Sequence, residues 1–361
     1  LHPGEWVDVS VTDDVEAGKK GVTPYVWQFR AGVGGGDGRF TSGQHLRGVP
    51  FNEDLALGDL DGDGHLDVAV ARSKGVPSLV CLNDGTGIFG PACQSLSSSS
   101  SNGVALGDLD GDGDLDVFLA NGDYGAHKSE ANEVWLNQGG AQAGTPGTFA
   151  PGWTQTSDLS ISYAVALGDL DGDGALDAFI GTCGDEASTV WTNTGSGAFS
   201  AGWVESSEPS DFAASHDVAL GDFDGDGDLD AFAGNAGLNR VWVNEGGAQA
   251  GTMGSFRSGW EQTLTAADTR GVVLGDLDAD GHLDALAANM RSADVIWRND
   301  GDGNFSRTAL SQESLDSLDA ALGDFDGDGD LDAFVANWWD HPDQVWRNDG
   351  NLAFTQVQGL D

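Results

Sequence analysis

Several things are scarce in this chain. Among 361 residues there are three cysteines, two methionines, three tyrosines and only 15 lysines and arginines. No apolar run approaches the ~20 residues that span a bilayer, so membrane insertion is excluded. Against so few cations stand 59 Asp and Glu, for a formal charge of −44. Such a surface repels nucleic acid and anionic lipid, which removes both as partners. The chain starts at Leu1 without Met, signal or transit pattern, and reads as a processed or excised segment. Cys81 and Cys93 fall on neighbouring strands of one predicted hairpin and could pair, although their register looks imperfect; Cys183 reads as a plain buried thiol. The scattered histidines show no His-x-x-x-His or Cys-partnered spacing, which argues against zinc. No Gly-x-Ser-x-Gly elbow occurs either, and the densest Asp clusters are otherwise accounted for, so the chain is read as no enzyme.

Against these absences stands one undecapeptide, Leu-Gly-Asp-Leu-Asp-Gly-Asp-Gly-x-Leu-Asp. It is written six times with small changes, from Leu57, Leu106, Leu167, Leu220, Leu274 and Leu322. Ca²⁺ takes six to eight oxygens, so closely spaced carboxylates on a sharply turned backbone suit it. Counting the first Asp as position 1, side-chain ligands are expected at positions 1, 3, 5 and 9. In the first three copies these are Asp59, Asp61, Asp63 and Asp67; Asp108, Asp110, Asp112 and Asp116; and Asp169, Asp171, Asp173 and Asp177. In the last three they are Asp222, Asp224, Asp226 and Asp230; Asp276, Asp278, Asp280 and Asp284; and Asp324, Asp326, Asp328 and Asp332. Position 7 would ligate through its backbone carbonyl. Its residue is His65, Asp114, Ala175, Asp228, His282 or Asp330, a variety that leaves its side chain little part in binding. Position 6 is always Gly, as expected where the loop reverses and φ > 0 is needed. Position 4 is Gly except for Ala279, which suggests a less stringent backbone. A helical EF-hand is excluded, because position 12 is Val70, Leu119, Ile180, Ala233, Ala287 or Val335 where a bidentate Glu is required. About six Ca²⁺ are therefore expected, and even then the charge would be about −32.

Successive loops are 49, 61, 53, 54 and 48 residues apart, and the order within each period is constant. Apolar runs enter and leave the loop. A short strand such as Val134-Trp135-Leu136-Asn137 or Val241-Trp242-Val243-Asn244 follows, with Cys81 in place of Trp in the first copy. A Gly-rich turn and a Phe then open a fourth strand. Four short strands per period with no helical periodicity predict an all-β chain, a seven-bladed β-propeller of four-stranded antiparallel blades. The metal loops would join the first and second strands of six blades. The apolar residues at positions 2 and 8 would plug each loop into its blade. Approximate blade bounds are 51–101, 102–158, 159–211, 212–265, 266–315 and 316–361. Residues 1–50 form a degenerate seventh blade without a metal loop: Val26-Trp27-Gln28-Phe29 matches the aromatic strand and Gly36-Asp37-Gly38-Arg39-Phe40 the turn.

Asp-x-Asp-Gly-Asp-Gly-x-x-Asp followed by Val-Trp-x-Asn-x-Gly-x-Gly-x-Phe resembles the FG-GAP and VCBS repeat family. Its members include integrin α-chain heads and seven-bladed fungal and bacterial lectins. The resemblance implies an extracellular or cell-surface, calcium-stabilised propeller used in adhesion and recognition, a monomeric domain facing a protein or a glycan. It does not fix the ligand, and a non-catalytic domain of a larger secreted enzyme is a further alternative.

In an up-and-down blade the metal loops share one face with the third-to-fourth turns. The variable second-to-third and inter-blade loops share the other. Recognition residues on that second face would include Tyr124, His127, Lys128, Arg240, Arg270, Arg291, Trp338, Trp339 and His341. Trp153, Trp203 and Trp260, each in a Gly-Trp pair on a fourth strand, could instead stack on sugars between blades or pack as blade edges.

Overall fold

The apolar runs beside each loop are rich in Val, Phe, Ile and Ala and carry nothing at helical spacing, so they extend and pair across the loop. The computed structural model describes residues 6–11, 25–30, 52–85, 89, 93–123, 125–142, 144–157, 159–183, 186–205, 214–246, 251–261, 267–310, 315–338 and 341–360. Blade 1 is built from Asn52–Gly58, Asp67–Arg72, Leu79–Cys81 and Gln94–Ser95, and blade 2 from Ser101–Gly107, Asp116–Asp123, Glu133–Asn137 and Phe149–Thr154. Blades 3 to 6 repeat the plan with innermost strands Ser162–Gly168, Ser215–Gly221, Ala267–Gly275 and Leu315–Gly323. Within each blade the four strands pair antiparallel in chain order, and the innermost strands of successive blades lie side by side.

The second strands are buried on both faces, completely so in Asp67–Arg72 and Asp177–Thr182. One sheet cannot do this alone; its neighbours must cover it. The apolar core accordingly consists of layers between consecutive blades. One layer joins Ala69 and Val80 of blade 1 to Val117, Leu119 and Phe149 of blade 2, and another joins Phe118 and Val134 of blade 2 to Ile180, Trp191 and Phe199 of blade 3. Position 2 of the loop feeds these layers: Leu60, Leu109, Leu170, Phe223 and Leu277 are all buried, each contributing roughly 1.5–3 kcal/mol. Position 8 reaches backward. Leu115 of blade 2 lies against Gly58 of blade 1, where an added Cβ would meet Leu115 Cδ1 at 2.7 Å. The Gly before each loop therefore allows the next blade to approach.

The two ends of the described array each lack one such layer. In blades 2 and 4, Leu106 and Val218 pack on Gly58 and Gly181 of the preceding blade. Their equivalents in blade 1, Leu57 and Leu55, are 51 % and 60 % exposed. At the other end Phe325 is only half-buried. Residues Trp6–Val11 and Tyr25–Arg30 form an antiparallel pair in which Val9 faces Trp27. That is the register of Val117 with Trp135 and of Ala178 with Trp191 in the second and third strands of blades 2 and 3. The proposed turn at Gly36–Phe40 lies outside the described residues.

Cys81 and Cys93 are disulfide-bonded with Cα atoms 4.3 Å apart, so the bond replaces the aromatic packing that Trp supplies in the other blades. Cys183 is a buried free thiol, pushed up to about 11 chiefly by burial. Among the described residues no helix is long and apolar enough to cross a membrane.

Candidate metal centre

Each loop folds around its own first and last Asp. In the first copy Asp59 Oδ1 accepts from the backbone nitrogens of Gly62 (2.9 Å) and Asp63 (3.1 Å), and Oδ2 from that of Gly64 (2.9 Å). The backbone at position 6 takes φ of 87° to 100°, beyond what an L-residue holds comfortably. Position 4 is also left-handed, at 75° to 82° for Gly and 60° for Ala279. Position 4 thus tolerates Ala, but at a steric cost of about 1 kcal/mol. Ala279→Gly is expected to raise the melting temperature by about 2 °C, as read by calorimetry of the apo protein. An unchanged or lower value would show that Ala279 is unstrained.

The last Asp of the loop is the hub. Asp116 is fully buried; its Oδ2 accepts from Leu109 N (2.9 Å) and its Oδ1 from Asn137 N (2.7 Å). The Asn137 side chain then donates to Leu60 O of blade 1 (2.8 Å) and to Leu115 O of its own loop (3.1 Å). The same latch recurs: Asn193 on Leu109 O, Asn244 on Leu170 O, Asn299 on Phe223 O and Asn348 on Leu277 O. These asparagines close the tryptophan strand in each copy. In the sequence they recur at one place in the repeat while nearby positions vary, the one local signal of this role.

Positions 1, 3 and 9 converge. Asp59, Asp61 and Asp67 bring one carboxylate oxygen each within 4.8 Å of one another, as do Asp108, Asp110 and Asp116, and likewise the corresponding trios of loops 3, 4 and 5. Position 5 lies beside these trios: with burial, the charge of Asp63 helps to raise Asp61 and Asp67, and Asp226 Oδ2 is buried without a hydrogen-bond partner. Its other oxygen caps the turn: Asp63 Oδ1 accepts from His65 N (2.9 Å), and Asp112, Asp173, Asp226, Asp280 and Asp328 do the same in their loops. The position-7 side chains rest on the third-to-fourth turn, His65 against Gly85 and His282 against Gly301. The residues fit a cation. Asp110 Oδ1 and Asp226 Oδ2 are buried without a hydrogen-bond partner, and burial plus neighbouring carboxylates push Asp116, Asp177 and Asp230 up to about 7. Oxygen-only donors of this kind suit Ca²⁺. In loop 5 the Arg298 guanidinium already lies on Asp278 and Asp280, the latter at 2.7 Å.

The third-to-fourth turn of the next blade closes each loop from the far side: Gly197 N donates to Leu109 O (2.7 Å), and Gly147 and Gly254 lie against Asp61 and Asp171. Every loop followed by a described blade is thus a junction between two blades.

The proposed recognition residues fall differently. Arg240, counted as an exposed anchor, is mostly buried: Nη1 pairs with Glu205 at 3.1 Å and the guanidinium lies over Trp242 at 5.2 Å, because its strand starts at a blade junction. Arg291 is exposed with φ 62°, and Trp338 is 42 % exposed. Tyr124 and Trp339 lie outside the described residues. Trp153, Trp203 and Trp260 intercalate between blades, Trp153 against Trp191 (5.6 Å) and Phe199 (5.4 Å), Trp203 against Trp242 (5.3 Å), and Trp260 against Trp297 (5.0 Å). Each remains partly exposed.

A model of the FG-GAP-like repeat matches residues 59–119, 108–180, 169–233, 222–287 and 276–335. A search of curated proteins found no match. Among solved structures the chain is similar to an Agrocybe aegerita lectin studied for specific recognition of non-reducing terminal N-acetylglucosamine, at 19 % identity and TM-score 0.54 over 86 % of this chain and 81 % of that one. It is similar also to BBS1N, solved in complex with ARL6DN, at 10 % identity and TM-score 0.54 over 86 % and 81 %. At these identities the likeness speaks to the fold alone, which is of β-propeller type.

Proposed function

This chain belongs to the FG-GAP-like repeat family, and we propose that it is a non-catalytic, extracellular recognition module whose blades are joined by structural Ca²⁺. One observation carries the reading: in loops 2 to 6 the last Asp of the loop is wired, through the latch asparagine, to the backbone of the preceding blade. A cation held there would neutralise charges that otherwise repel and would tie two blades together. Millimolar extracellular Ca²⁺ fills even weak sites of this kind. Recognition then belongs to the opposite face, with a protein or glycan ligand. The N-terminal hairpin is the core of a seventh, closing blade. Its register matches the other blades, and one blade would cover both Leu55 with Leu57 and the side of blade 6 at Phe325.

A lectin is the second reading, favoured by three partly exposed tryptophans repeated at consecutive blade junctions. Glycan-array binding in Ca²⁺, compared with the Trp153→Ala, Trp203→Ala, Trp260→Ala triple variant, separates the two. Adhesion to cells or purified matrix protein with silence on glycans is the outcome the first reading expects. Turnover of any polysaccharide would overturn the non-catalytic assignment.

A further inference from the structure

The innermost strands begin at a common centre, on the face opposite the metal loops. There they line an open cavity of ≈ 510 Å³ reached by residues from all six described blades, among them Asp54, Asn102, Tyr163, His216, Arg270 and Asp319, and by Trp338. None of these takes part in a metal loop.

Two of the donor side chains around this cavity are already engaged. Arg270 pairs with Asp268 through Nη2···Oδ2 at 3.0 Å and Nε···Oδ1 at 2.9 Å. The Asn102 amide donates to Gly122 O and Ser162 O, both at 2.8 Å. His216 Nε2 faces Asp268 Oδ1 at 3.4 Å, and burial beside Arg270 lowers the imidazole to about 4, so the ring is neutral. The His216 side chain is only 8 % accessible, and its Nδ1 is buried without a hydrogen-bond partner. With Nε2 turned to a carboxylate, Nδ1 is left as a bare acceptor.

The acceptors remain. Asp54 and Asp217 are fixed in place by the next blade, their Oδ2 atoms accepting from Val104 N (2.9 Å) and Val272 N (2.7 Å). Asp319 accepts only locally, from Ala320 N (2.8 Å). Burial raises all three carboxyls, Asp54 to about 6, and the charges of Asp54 and Asp319 add to the effect on Asp217. Three carboxyl groups and an imidazole lone pair, with the Arg270 charge already paired to Asp268 and the Tyr163 and Trp338 rings beside them, suit a partner that is positive and rich in N–H.

We infer that this central cavity is a binding site for an ammonium or guanidinium group, carried by a free polyamine or by a basic side chain of a partner protein.

The test is calorimetric titration of the Ca²⁺-saturated full chain, at fixed ionic strength, with spermidine, Nα-acetyl-lysine amide and arginine amide. Nα-acetyl-norleucine amide serves as the uncharged control. Saturable binding of the cationic probes is expected, with none by the control. Binding should weaken at least tenfold in Asp319→Asn and in Trp338→Ala, two positions whose changes leave the blade hydrogen bonds intact. Unaltered melting temperatures would verify that. Spermidine binding more tightly than the capped amino acids assigns the site to a free amine, and the reverse order to a partner's side chain. No saturable binding, or equal binding by both variants, would overturn the inference and leave only a diffuse acidic surface.

Discussion

Stripping divalent metal with a chelator is expected to lower the melting temperature by about 10 °C or more and to open the chain to protease. The loops crowd Asp59, Asp61 and Asp67, and their equivalents, within 4.8 Å with no counter-charge of their own in most copies. A cation bound only by the folded state stabilises by about 2.7 kcal/mol per site at a hundredfold excess over its Kd. Two sites acting together then amount to about 5 kcal/mol, and for a chain of this size each kcal/mol moves the midpoint by about 2–4 °C. Loop 5 should respond least, because Arg298 already offsets Asp278 and Asp280. Differential scanning calorimetry with and without chelator reads the shift, and Mg²⁺ in place of Ca²⁺ should restore less of it.

Asn193→Ala should be among the most damaging single polar substitutions in the blades, at about 3–5 kcal/mol. This side chain is fully buried; it donates to Leu109 O (2.8 Å) and Leu176 O (3.2 Å) and accepts from Gly195 N and Ser196 N. Alanine would strand the Leu176 carbonyl and two amides and leave Leu109 O with Gly197 N alone; each unmet group costs about 1–3 kcal/mol, less what water and relaxation recover. Thr194→Ala next to it is exposed and should stay within about 0.5 kcal/mol. Denaturant unfolding measures both. The effect should also cross the junction, since Asn193 holds Asp177 in loop 3 through its backbone and loop 2 through Leu109. A cost confined to about 1 kcal/mol would show that the latch is incidental.

Much of this was legible because the chain writes its unit six times. Each copy of the loop served as a control on the others, separating the invariant Asp at positions 1, 3, 5 and 9 from the indifferent residue at position 7. The period, the alternating strands and the buried position-2 residue followed from the same comparison. What stayed hidden is what depends on neighbours far away in sequence. Asn137 reaches Leu60 across 77 positions, so no local pattern could reveal a link between blades. Asp63 and its equivalents share the ligand spacing and, in addition, cap the turn at position 7 with one oxygen, a second task that spacing alone does not show. Arg240 looked like a free cation in a loop and is instead spent on Glu205 of the adjoining blade. The central cavity was equally unreadable, since each innermost strand contributes only one to three residues to it.

The claim that each Asp loop is a cation site fastening neighbouring blades is tested most directly by native mass spectrometry of the chain equilibrated with Ca²⁺. About six bound ions are expected for the wild type, with about one fewer for Asp177→Asn. Asn193→Ala should lose more than one, because loops 2 and 3 share that residue. A spectrum showing no bound Ca²⁺, or the same count in all three proteins, would contradict it.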